Sequence, residues 1–122
     1  MSATILIIED EISIIKTMQF KFEISGFKVI YSLDGAGGVK MAREQSPDLI
    51  ILDIMMPLMN GYEVLTDLKR DEKTSGIPVL MVTARVQDDN MKKAIDMGAV
   101  GYIYKPFSPK ALLETVMKHI DV

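Results

Sequence analysis

The residues of this 122-residue chain that can do chemistry follow directly on short apolar runs. Glu9 and Asp10 come after TILII, Asp53 after LIIL, Thr83 after PVLMV and Lys105 after GYIY. Short apolar runs rich in β-branched residues predict strands buried on both faces. In an open parallel sheet, ligands and reactive groups collect just outside the carboxyl ends of the strands. Three carboxylates, a hydroxyl and an ammonium are therefore expected along one edge of a sheet. Asp53 alone would pass for a strand-ending turn residue; the residues at the other three strand ends argue otherwise. Carboxylates this close raise one another's pKa unless a cation offsets them. Such a site, with room for water, suits Mg²⁺, a hard octahedral ion that gives up its waters slowly. A metal, a lysine, a hydroxyl and an in-line nucleophile are what phosphoryl transfer requires. Asp53 is the candidate nucleophile, because carboxylates form aspartyl-phosphates.

The elements that must position these groups alternate regularly. Strands are predicted at Thr4–Ile8, Lys28–Ser32, Leu49–Asp53, Pro78–Val82 and Gly101–Tyr104. Between them fall a helix to about Ser25 stopped by Gly26, and one from an Asp34 cap to about Gln45. Further helices are expected from Gly61 to about Asp71, from about Asp88 to Met97, and after Ser108-Pro109. Pro57 ends any ladder after Asp53, and Asn60 with Glu63 has the spacing of a capping box. Five strands alternating with five helices make a βαβ pattern, a parallel sheet covered on both faces. One doubly wound domain over residues 1–122 is expected.

Composition narrows the function classes. With 48% hydrophobic and 25% charged residues the chain is an ordinary globular mixture. No apolar run approaches the roughly 18 residues of a membrane span, and the N-terminus has no basic region of a signal peptide. There is no cysteine, hence no disulfide or thiolate chemistry. These features point to the cytoplasm. A net charge of −3, with no dense basic run, argues against direct nucleic-acid binding.

The pieces ILIIEDE, DLIILDIMMPLMNG, PVLMVTA and GYIYKPFSP, in this order and spacing, resemble the receiver domains of two-component response regulators over essentially the whole chain. The resemblance implies a flavodoxin-like fold with strand order 2-1-3-4-5. It implies that Asp53 accepts a phosphoryl group from a histidine kinase or a histidine phosphotransfer protein. Asp10, Asp53 and the backbone carbonyl of Met55 would bind Mg²⁺, with Glu9 acting through a metal-bound water. Thr83 and Lys105 would hold the phosphate, Tyr102 would be the switch aromatic, and Lys105-Pro106 would be a cis peptide. Such a protein catalyses only its own phosphorylation and dephosphorylation. Its downstream protein target would meet the face made by the fourth helix, fifth strand and fifth helix.

Departures from the family pattern carry their own expectations. Glu9 stands where Asp is commoner, and is one methylene longer. Met55 and Arg85, two residues after Asp53 and Thr83, border the expected phosphate. An apolar Met55 would hinder the hydrolytic water and Arg85 would contact the phosphoryl group, giving a long-lived phosphoryl form. Receivers with winged-helix outputs carry charges at the positions matching Val100-Gly101 and in the fifth helix. Here those positions are uncharged, which does not support dimerisation through that face.

Other features have plainer readings. Glu11 suits a helix start through the macrodipole. Gly35-Ala36-Gly37-Gly38 lacks phosphate-loop spacing, and three glycines predict a short or mobile second helix. His119 is expected to be solvated in the last turn, and Tyr102 to be at least partly buried. In the first helix Ile14, Met18 and Phe22 should face the sheet, with Ile12 and Ile15 at the margins. Phe20 and Ile24 then point away, either under a loop or as an apolar patch for a partner. Competing functions fit less well. An aspartate-nucleophile phosphatase wants a second Asp at the position of Met55, and a flavin carrier wants a hydroxyl-rich loop where Glu9-Asp10-Glu11 stands. An unphosphorylated interaction module would not need the acidic, Thr and Lys set. The chain stops soon after the fifth helix, as a stand-alone receiver or the receiver part of a longer protein would.

Overall fold

The computed structural model describes residues 3–56, 60–83 and 88–120, the side chains of 88–91 excepted. Strands β1 (Thr4–Ile8), β2 (Lys28–Ser32), β3 (Leu49–Asp53), β4 (Val79–Thr83) and β5 (Gly101–Tyr104) form one parallel sheet in the order β2-β1-β3-β4-β5. This is the flavodoxin-like, doubly wound arrangement implied by the resemblance. Helices α1 (Ile12–Ile24), α2 (Gly35–Gln45), α3 (Gly61–Arg70), α4 (Asp88–Asp96) and α5 (Pro109–Met117) make the crossovers. Pro78 falls outside β4, and its carbonyl accepts a hydrogen bond from Ile50 N.

The period-2 rule divides the core in two. Leu6, Ile8, Ile50, Leu52, Val79 and Met81 pack with Ala42, Val64, Leu65, Leu68 and Ala94 of α2, α3 and α4. Ile5, Ile7, Leu49, Ile51, Leu80 and Val82 pack with Ile15, Met18 and Phe22 of α1, and with Leu112 and Val116 of α5. β3 and β4 are buried throughout and β1 nearly so, whereas the edge strands β2 and β5 are only partly covered. The continuous apolar runs are the strands that need helices on both faces.

Caps set the helix starts as expected. Asp34 Oδ1 accepts from Gly37 N, Asn60 Oδ1 from Glu63 N and Ser108 Oγ from Ala111 N. Glu63 answers through its side chain to Asn60 Nδ2 at 3.0 Å, a variant of the capping box.

Four expectations need correction. α2 is not shortened by its glycines but runs eleven residues. A Cβ on Gly38 would lie 2.5 Å from Ile8 Cδ1, and one on Gly37 2.7 Å from Ser32 Oγ. Two of the glycines let the helix lie close against β1 and the end of β2, so packing offsets the poor propensity. In α1 the inward stripe is Ile15, Met18 and Phe22, with Ile14 only partly buried. Phe22 meets Phe27 edge-on at 6.2 Å, which fixes the rotation of the helix. Tyr102 is exposed rather than partly buried, its ring set edge-to-face against Tyr104 at 5.5 Å. His119 is half-buried beside Gly101.

Candidate functional site

Parallel register brings the predicted residues to one end of the sheet. Ile8 pairs with Leu52, Asp53 with Val82, and Thr83 with Tyr104, so the residues that follow these strands share one rim. Glu9, Asp53 and Thr83 are each no more than 2% exposed, while Asp10 is exposed. Carboxylate oxygens of Glu9, Asp10 and Asp53 all lie within 4.8 Å of one another.

Lys105 joins the cluster from the end of β5, positioned by its own N–H donating to Thr83 O at 2.7 Å. Its Nζ lies 3.0 Å from Glu9 Oε1 and 3.2 Å from Asp53 Oδ2. The second oxygen of each carboxylate accepts from the main chain: Glu9 Oε2 from Glu11 N, and Asp53 Oδ1 from Met55 N at 3.0 Å. Lys105-Pro106 is cis. Gly61 N donates to Ile54 O, and a Cβ on Gly61 would lie 2.8 Å from Asp53 O. A glycine there lets the start of α3 close against the Asp53 backbone.

The electrostatics are unbalanced. Burial pushes the Glu9 carboxyl up to about 7, the Lys105 hydrogen bond holding it down and the Asp53 charge raising it again. Burial also works against the Lys105 ammonium, but Glu9 and Asp53 outweigh it and hold the lysine above its ordinary range. Among the described residues, one ammonium and three carboxylates leave negative charge that a divalent cation would offset. These oxygens are hard donors, and an exposed Asp10 leaves space for water, so the residues present fit Mg²⁺.

The structure brings the predicted side chains of Glu9, Asp10, Asp53, Thr83 and Lys105 to one rim. Met55 is half-exposed beside Asp53, contributing its N–H, and Tyr102 stands outside the cluster. Pro57 and Arg85 lie outside the described residues. A groove of about 470 Å³, lined by Ser13, Ile14, Thr17, Lys105, Pro106 and Phe107, opens beside Lys105. The exposed α1 residues Ile12, Phe20 and Ile24 extend the apolar surface along that helix. Two residues escaped sequence reasoning. Lys69 donates to Ser75 O and Ile77 O, and buried Thr74 donates to Leu68 O, closing the α3–β4 connection. Burial lowers the Lys69 pKa, as expected of an ammonium held by carbonyls alone. No spacing signal marks either residue.

The fold places the chain among flavodoxin-like α/β proteins. Within that class residues 5–117 match the response regulator receiver domain, and the chain belongs to that family. The phosphate regulon transcriptional regulatory protein PhoB of Escherichia coli is 39% identical over 124 residues, covering 99% of this chain and 54% of that protein. The chain spans about half the length of the curated relatives it matches. Among solved structures, the chemotaxis response regulator CheY4 of Vibrio cholerae aligns with a TM-score of 0.93 at 28% identity, covering 98% of this chain and all of that one. The receiver domain of the sensor histidine kinase PA1611 from Pseudomonas aeruginosa PAO1 shares the fold at TM-score 0.88 and 23% identity, covering 98% of each chain. It holds a magnesium ion coordinated in its active-site cleft. Among the described residues no helix is long and apolar enough to cross a membrane.

Proposed function

We propose that this receiver domain is a phosphorylation-controlled switch in which Asp53 takes a phosphoryl group from a histidine kinase or a histidine phosphotransfer protein. One observation carries the reading. The buried Asp53 carboxylate is held by Lys105 Nζ and Met55 N–H, with oxygens of Glu9 and Asp10 within 4.8 Å. An Asp53 oxygen would attack phosphorus as the phosphorus–nitrogen bond to the donor imidazole breaks, that nitrogen keeping the electron pair. Asp10, Asp53 and the Met55 carbonyl would hold Mg²⁺, with Glu9 acting through a water. The magnesium ion in the cleft of the PA1611 receiver supports a metal at this end of the sheet. When bound, the ion supplies positive charge against the phosphoryl oxygens.

Lys105 would then exchange its carboxylate partners for a phosphoryl oxygen, and the Thr83 hydroxyl would donate to another. Thr83 and Lys105 are joined through the main chain, so drawing Thr83 inward would reach β5 and let Tyr102 leave its exposed position. The α4–β5–α5 face would change with it, and a protein target that binds one arrangement better would read the change. The groove beside Lys105 and the apolar side of α1 would meet the donor. Direct binding to nucleic acid or membrane forms no part of this reading.

Incubation with Mg²⁺ and acetyl phosphate, followed by intact mass, tests the reading. A gain of one phosphoryl group in the parent and none in Asp53→Asn supports it. Equal labelling of both would reject Asp53 as the acceptor.

A further inference from the structure

A second connection leads from the site to α4, away from Thr83 and Tyr102. Gly61 is bonded to Ile54, whose neighbour is Asp53, and the residue after Gly61 is Tyr62. Lys93 of α4 places its Nζ 4.5 Å from the centre of the Tyr62 ring. Among the described residues no carboxylate pairs with this lysine. Tyr62 is partly buried against the core that also holds Ala94, so the ring is fixed while Lys93 is exposed. At its far end α4 stops at Gly98 with φ +107°, where a Cβ would lie 3.3 Å from the stem of Lys69. Lys69 is itself anchored by the Ser75 and Ile77 carbonyls. α4 is thus braced on α3 by a fixed lysine stem below and by its own lysine over an α3 ring above.

We infer that the Lys93–Tyr62 cation–π contact is a brake that holds α4 in its unphosphorylated position and lowers the apparent affinity of the site for a phosphoryl group. This rests on the reading of Asp53 as phosphoacceptor with α4 as part of the output face. A contact made in one arrangement and lost in the other shifts their ratio by its own free energy. For an exposed cation–π pair the shift is about two- to five-fold. Tyr62 and Lys93 are positioning residues and touch no reacting atom.

The test is the dissociation constant of the phosphoryl analogue beryllofluoride with saturating Mg²⁺, read by NMR. Lys93→Met and Tyr62→Leu should each bind roughly two- to five-fold tighter than the parent, while Lys93→Arg keeps the parent value. The Tyr62→Leu/Lys93→Met double variant should bind no tighter than either single one. An unchanged constant in Lys93→Met, whose exposed site poses no folding risk, overturns the inference; so do additive effects in the double variant. A parent that binds no beryllofluoride overturns the phosphoacceptor reading itself, and the brake with it.

Discussion

Lys105 and Glu9 form an ion pair 3.0 Å long in which the carboxylate is almost wholly buried and the ammonium is also shared with Asp53. Removing one partner of such a pair leaves charge with no compensation in a poorly solvated place. Lys105→Met should lower stability by roughly 1–3 kcal/mol at pH 8, less than a fully buried pair because the lysine is partly solvated. The loss should shrink at pH 6, where Glu9 can take a proton instead. Urea unfolding at the two pH values without metal checks this, and equal losses at both would contradict it.

Glu9 also sets the sign of the pH dependence in the metal-free protein. Its folded pKa of about 7 stands above the ordinary 4.5. Between those values the unfolded chain has released a proton that the folded one keeps. Stability from this group is therefore greatest below pH 4.5 and is lost as pH rises through 7, at no more than about 1.4 kcal/mol per pH unit. Glu9→Gln should flatten that slope in urea titrations between pH 5 and 8. Mg²⁺ affinity should run the other way, tightening toward pH 8 in the parent and changing less in Glu9→Gln.

Met55 places a half-exposed apolar side chain next to Asp53. A polar group there can orient the water that hydrolyses an acyl phosphate, and a thioether cannot. Met55→Asn should speed loss of the phosphoryl group by about tenfold, the equivalent of roughly 1.4 kcal/mol in the barrier. The decay of the phosphorylated mass after donor removal measures it. An unchanged rate would remove Met55 from the account of phosphoryl lifetime.

Two glycines separate packing from propensity. Gly38→Ala gains about 1 kcal/mol of helix propensity but drives a methyl to 2.5 Å from Ile8 Cδ1. Ile8 is fully buried, and overpacking costs roughly 1–3 kcal/mol. A net loss of about 1 kcal/mol is expected, partly recovered by adding Ile8→Val. Gly76, where a Cβ meets nothing within 4 Å, should accept Ala at no cost or with a gain of up to about 1 kcal/mol. Thermal melts of the variants decide the ranking.

Much of this architecture was legible because burial imposes a period. The three central runs needed cover on both faces, and the capping residues Asp34, Asn60 and Ser108 announced the helix starts. Strand ends then named the rim residues with no side-chain geometry in hand. The rotation of α1 was less legible, because Ile12, Ile14, Ile15, Met18, Phe20, Phe22 and Ile24 offer an apolar choice on every side. Only the Phe22–Phe27 contact and the sheet beneath select Ile15. The glycines of α2 misled for a related reason. Propensity is local, whereas the clearance to Ile8 belongs to a residue thirty positions earlier. The double reach of Lys105 and the hold of Lys69 on two carbonyls depend on side-chain placement that no pattern encodes.

The sheet that carries the site is also a wall. Among the described residues no side chain belongs to both cores, so a loss behind α1 and α5 is not felt behind α2, α3 and α4 except through the strands themselves. Changes such as Ile15→Ala and Val64→Ala should therefore combine without interest on one another. The side that borders the donor groove and the side that braces α4 are two separate repacking problems. A lineage or a designer can rework one compartment for a new partner while leaving the other as it stands.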